Sequence, residues 1–196
     1  MQCELLGVAD AQHVQVLTDL LTGLSSHPGS QIHQQELTIK SQASPFTELK
    51  LLQQIPEGKA AGPSRWEICH DGIPVKGKGY AELPAVVRTR TKASLHGNHS
   101  LSFWIHLGFS VIYELQRKGF SYSVYHDGFE LQVLLCSTGP ASSSLQHCEA
   151  QIQDVCKAYW LVKITAAVPE AQAVQAAHAI GSFSKFLEPM VTLRKE

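Results

Sequence analysis

Val14, Leu17, Leu21 and Leu24 recur at steps of three, four and three, which places them on one stripe of a helix. Asp10 stands where such a helix takes its N-cap, and Pro28 and Gly29, within 25–30, end it. Beyond that point the period falls to two. In 31–40, Leu37 and Ile39 face one way while Glu36, Thr38 and Lys40 face the other. A turn at 43–45 leads into a strand over 46–53. Two Gly and two Pro make 56–64 a loop, and 65–71 is a short strand with Trp66 and Ile68 on one face. Gly72, Pro74, Gly77 and Gly79 punctuate a long loop before a further strand over 84–93.

Asn98 is placed to cap a short helix over 100–107, which Gly108 stops. Three strands follow, over 109–118, 120–126 and 129–136. Gly119 breaks the first pair, and Asp127-Gly128 is a strong hairpin signal before the second. Phe129, Leu131, Val133 and Leu135 share a face. The Ser-rich stretch 137–147 reads as a flexible loop, and 159–168 as a long apolar strand. Pro169 and Glu170 suit the start of a last helix, whose buried stripe is Ala173, Ala176, Ala177, Ile180, Phe183 and Leu187. Pro189 ends it. About eight strands without regular helices between them disfavour a doubly wound parallel sheet. The expected fold is α+β, mainly β: an antiparallel barrel with flanking N- and C-terminal helices, in one domain over 1–196, since closure removes the sheet edges.

Composition narrows the function classes. The chain has 196 residues, 44% of them hydrophobic, enough for a core. Sixteen Lys and Arg against seventeen Asp and Glu give a net charge of −1, which argues against a nonspecific nucleic-acid binder. The stretch 40–92 departs from that balance, with nine basic and five acidic residues. No apolar run approaches the roughly 18 residues of a membrane span. The first residues do not read as a secretory signal. Cys3, Cys69, Cys136, Cys148 and Cys156 are odd in number and show no C-x-x-C spacing, so free thiols in a reducing interior are expected.

The candidate chemistry is basic. Arg88, Arg90 and Lys92 share one face of a strand and could bind phosphate. A solvated outer face is the competing and commoner origin of such a row. Glu36, Glu48, Glu114 and Glu130 lie on strands without converging along any one of them, as metal ligands would need to. His96 and His99 lack the third ligand of a catalytic zinc site, and His147-Cys148 is adjacent in sequence only. Lys76-Gly-Lys-Gly79 is a weak phosphate-loop signal, and no nucleophile elbow or dinucleotide motif occurs. The aromatics of the short helix, Phe103 and Trp104, with Leu107, either form a partner surface or plug one end of the barrel. No catalytic residue, metal ligand or cofactor is expected.

The order of Gln34-Gln-Glu-Leu-Thr-Ile-Lys40, Ala43-Ser-Pro-Phe46, Arg65-Trp-Glu-Ile-Cys-His70, Val87-Arg-Thr-Arg90, Leu107-Gly-Phe109, Tyr113–Gly119, Leu161–Pro169 and Phe186–Leu193 resembles the Mediator subunit 18 family, over nearly the whole chain. The resemblance implies a non-enzymatic subunit of the Mediator head module in the nucleus. It also implies a heterodimer with Mediator subunit 20, a docked helical segment of subunit 8, and indirect contact with RNA polymerase II and its initiation factors. Neither a membrane nor a specific nucleic-acid partner is implied. The same barrel resembles the triphosphate tunnel metalloenzymes, whose tunnels carry E-x-E-x-K, basic R-x-R strands and a late acidic pair. Arg88-Thr-Arg90 fits the basic element. Glu36-Leu-Thr-Ile-Lys40 has Thr38 in place of the second Glu, and Leu161-Val-Lys-Ile164 has no acidic pair. A barrel without triphosphatase activity is therefore expected.

Overall fold

The computed structural model describes residues 1–44, 46–55, 65–97, 100–140 and 158–195. The strands are β1 (Gln2–Asp10), β2 (Ser30–Ser41), β3 (Glu48–Gln54), β4 (Arg65–Asp71), β5 (Val86–Arg88), β6 (Arg90–His96), β7 (Phe109–His126), β8 (Phe129–Pro140), β9 (Tyr159–Ala167) and β10 (Val191–Arg194). Among the described residues the α-helices are α1 (Val14–Leu24), α2 (Ser100–His106) and α3 (Ala173–Ser184). The fold is α+β and mainly β, as the pattern predicts.

All strand pairs are antiparallel, in the order β10-β1-β9-β8-β7-β2-β3-β4-β6, with β5 on β1. The strand expected over 84–93 is split at Thr89. Its first half, β5, pairs with β1 (Gln2 opposite Arg88), while its second half, β6, pairs with β4 (Asp71 opposite Arg90). The Thr89 carbonyl accepts from the Gly72 N–H instead of a ladder partner. The kinked strand thus joins the two ends of a curled sheet and closes the barrel over part of its length. On the remaining half of β1, β10 occupies the same edge.

Two strands escape the sequence pattern. β1 is buried on both faces over Gln2–Leu5, so it shows no alternation. β10 is four residues long and begins two residues after Pro189. Gly119 does not break a strand but lies within the 18-residue β7. A Cβ there would sit 2.1 Å from the Leu135 carbonyl oxygen of β8, so glycine serves close approach. Ser137–Pro140 continue β8, and the rest of the expected 137–147 loop lies outside the described residues. So do Asn98, His99, Cys148 and Cys156.

Asp10 precedes a short 3-10 turn (Ala11–His13) and makes no side-chain cap bond; α1 begins only at Val14. Of its predicted stripe Leu17 and Leu21 are buried, whereas Leu24 is exposed. Glu170 likewise lies in a 3-10 turn before α3, and the whole predicted α3 stripe, with Leu187 beyond its end, is buried. The Asp127-Gly128 hairpin is present with both residues at positive φ, 48° and 84°.

Two apolar clusters lie on the outer face of the sheet. α1 and α3 cover the β1-β9-β8-β7 wall through Leu17, Leu21, Ile180 and Phe183 against Leu131, Val133, Leu135, Val162 and Ile164. α2 covers the β2-β3-β4-β6 wall, with Leu101 and Trp104 against Leu37, Ile39, Leu49, Leu51, Trp66 and Ile68. With both walls sealed from outside, the other face of every strand turns inward.

Candidate functional site: a charged barrel bore

Register fixes which side chains share the inner face. Glu36 and Thr38 of β2 stand opposite Leu52 and Lys50 of β3; Lys50 stands opposite Cys69 of β4; Cys69 and Asp71 stand opposite Lys92 and Arg90 of β6. Across the seam, Arg88 and Glu4 lie on the same face of the β5–β1 pair. Lys163 of β9 joins them opposite Leu6, and Arg117 of β7 stands opposite Gln34 of β2.

These groups form ion pairs. Arg88 Nη2 lies 3.0 Å and Lys163 Nζ 2.9 Å from the Glu4 carboxylate, and Arg90 Nη2 lies 3.7 Å from it. Arg90 also holds Asp71 through two bonds, Nη2 to Oδ2 at 2.7 Å and Nε to Oδ1. Lys50 Nζ reaches the same carboxylate at 3.3 Å. Four cations thus share two carboxylates. Arg117 Nη2 pairs with Glu36 at 2.7 Å. Burial alone would raise both acids. At Glu4, Lys163, Arg88 and Arg90 overcome it and hold the carboxyl below its ordinary value. Arg90 and Lys50 do the same, more strongly, at Asp71. Burial lowers the Lys163 ammonium, and nearby Arg90 and Lys50 add to that against the pull of Glu4.

The structure brings Arg88, Arg90 and Glu36 to the inner face, so Arg88 and Arg90 are not part of a solvated outer row. Lys92 sits at the rim with its side chain 57% exposed, paired with Glu67 at 2.8 Å. Lys40 is exposed and lies 5.2 Å from the centre of the Phe46 ring. Thr38 is fully buried, with its hydroxyl unpartnered among the described residues. Glu4, Lys50, Asp71, Arg117 and Lys163 were not visible as site residues in the sequence. For Glu4 and Lys163 the signal was a lone charge in an apolar stretch, Cys-Glu-Leu-Leu and Leu-Val-Lys-Ile, whereas Lys50, Asp71 and Arg117 lie near other charged residues and carry no such signal.

The thiols of Cys3, Cys69 and Cys136 are free, and burial pushes each up to about 11. On α2, Trp104 is half-buried and meets Phe109 edge-on at 5.0 Å. Phe103 and Leu107 are 52% and 56% exposed. The helix lies on a wall of the barrel and does not plug its end. Among the described residues no three of His, Cys, Asp or Glu converge as a metal cluster would, and no helix is long and apolar enough to cross a membrane.

Fold and bore together define a class: a curled antiparallel β-barrel, helices outside, whose interior is a network of ion pairs. Within that class the family can be stated. The model of the Med18 protein family matches residues 48–196, and the chain belongs to that family. It is 25% identical over 198 aligned positions to the Mediator of RNA polymerase II transcription subunit 18 of Arabidopsis thaliana, covering the whole chain and 87% of that protein. Three solved structures share the fold. A chain of the Schizosaccharomyces pombe Mediator head module matches at TM-score 0.70 and 15% identity, covering 100% of this chain and 99% of that one. The PH1819 protein of Pyrococcus horikoshii matches at 0.64 and 9%, covering 100% and 94%. HpAC1 from Hippeastrum, described as a putative adenylyl cyclase with a dominant triphosphatase activity, matches at 0.54 and 12%, covering 100% and 91%.

Proposed function

We propose that the protein is a non-catalytic subunit of the Mediator head module, acting in the nucleus as a heterodimer with subunit 20 and docking a helical segment of subunit 8. Family membership carries this reading. A whole-chain fold likeness to a head-module subunit supports it. The state of the bore supports the non-catalytic part. Glu4, Asp71 and Glu36 are each covered by cations, and Thr38 stands beside Glu36 where a second carboxylate would help hold a metal. Phe103 of α2 and Leu107 just beyond its end, both exposed, are the candidate subunit contact.

Co-expression with Mediator subunits 20 and 8 of the same organism tests the proposal. A stoichiometric complex is expected, and Phe103→Asp with Leu107→Asp should release at least one partner from a folded chain. A soluble monomer that ignores both partners would sink the heterodimer reading. The placement of Arg88, Arg90 and Glu36 on the inner face favours a second reading, a tunnel phosphohydrolase. Metal-dependent phosphate release from a triphosphate, abolished by Glu36→Gln, would establish it in place of the first.

A further inference from the structure

Lys195, the residue after β10, directs its whole ammonium group at backbone. Its Nζ donates to the carbonyl oxygens of Tyr80 at 2.9 Å, Ala81 at 3.0 Å and Leu83 at 3.0 Å. Three convergent carbonyls satisfy an ammonium completely, because it has three donors and no acceptor. The turn that carries them is anchored just beyond. Leu83 and Ala85 are buried, and Pro84 lies so close to α3 that a Cβ at Gly181 would come within 2.4 Å of its ring. The chain then enters β5. Lys195 therefore ties together the two segments that share one edge of β1: β5 over Gln2–Glu4 and β10 over Leu6–Ala9.

Little else secures this end of β10. The strand is four residues long and pairs with β1 alone. Val191 is buried and Leu193 half-buried, whereas Thr192 and Arg194 are exposed. Local opening concentrates in edge segments with so few buried contacts.

We propose that Lys195 is a charge-dependent clasp and a lysine-acylation site: its ammonium fastens β10 to the turn ahead of β5, and acylation by an acyl thioester unfastens it. An ammonium has no free electron pair, so the reaction takes place on the opened form after it has released a proton to solvent. The amine nitrogen attacks the thioester carbonyl. An amide C–N bond replaces the C–S bond, and the departing thiolate takes up the proton that the nitrogen loses. The product is uncharged and keeps one N–H in place of three donors. One donor does not serve three carbonyls, so the clasp stays open and the Leu6–Ala9 edge of β1 loses its secured partner. The clasp involves neither the bore nor α2, so it stands or falls separately from the functional reading.

Hydrogen exchange of the full chain, read by peptide mass spectrometry, tests the clasp. In Lys195→Gln, which has no charge, the β10 amides should exchange about tenfold faster than in the parent, with β8 unchanged. Lys195→Arg keeps the charge and should hold β10 within about threefold of the parent. A second measurement needs no variant: the unaltered protein is treated with a limiting amount of an acetyl thioester. Lys195 should react more slowly than Lys76 and Lys78, which are exposed and have no bonded partner among the described residues. Chains acetylated at Lys195 should exchange at β10 as fast as Lys195→Gln. The proposal is overturned by β10 protection in Lys195→Gln within about twofold of the parent. Equal loss of protection in Lys195→Arg, or reaction of Lys195 as fast as Lys76, overturns it as well.

Discussion

Glu4 is the residue on which the bore depends. Three cations converge on a carboxylate that is 4% exposed as a residue, so Glu4→Gln would leave Arg88 and Lys163 without an ion partner among the described residues and Arg90 held by Asp71 alone. Removing one partner of a buried pair costs about 3–5 kcal/mol, and chemical denaturation of that variant should show a loss of this size. Lys92→Gln at the rim should change stability by no more than ~0.5 kcal/mol in the same measurement, because an exposed pair contributes little. The pH dependence has a definite sign. Glu4 and Asp71 both titrate lower folded than unfolded, so the folded state binds fewer protons than the unfolded one. Their contribution is complete above the ordinary carboxylate values of 4.5 and 3.8, and is lost as pH falls through the lowered ones. Thermal unfolding from pH 7 to pH 2 should show a steep fall in Tm at the acid end, and a less steep one in Glu4→Gln.

At the scale of elements, close approach and kinks govern the sheet. Gly119→Ala should be severely destabilised, by more than ~2 kcal/mol in urea unfolding, because the new methyl would collide with the β8 backbone. Gly139→Ala on β8 has open space at its Cβ and should unfold close to the parent. On α2 the two faces separate packing from contact. Trp104→Ala removes an aromatic from the cluster over the β2-β3-β4-β6 wall and should cost about 2–3 kcal/mol, less than a fully buried aromatic. Phe103→Ala should leave the melting temperature nearly unchanged. The element-scale lesson of the sequence is also physical. Strands with one more exposed face, such as β8 with Leu131 and Val133 buried and Glu130 and Gln132 exposed, alternate and are legible. β1 buries both faces and is not, and the split at Thr89 depends on pairing with two different strands.

At the scale of the whole molecule, closure converts scattered charges into a site. Arg88 and Arg90 were legible as a pair, but their inward direction was not. A strand's inner and outer faces look alike in sequence until something covers one of them, and here α1, α2 and α3 cover the outside. The acids that pair with them come from β1 and β4, far away along the chain, so no spacing rule connects them.

The sequence by itself determined the mainly β fold class, the terminal and middle helices, the Asp127-Gly128 hairpin, the free buried character of Cys3, Cys69 and Cys136, and the family. These rest on local periodicity, turn chemistry and the order of segments. The tertiary structure alone decided that the charges turn inward, that Lys40 and Lys92 stay outside the bore, that α2 lies on a wall, and that four cations share two carboxylates. Those outcomes depend on which distant strands pair and on which face is sealed from water, and neither is encoded in any single stretch of the chain.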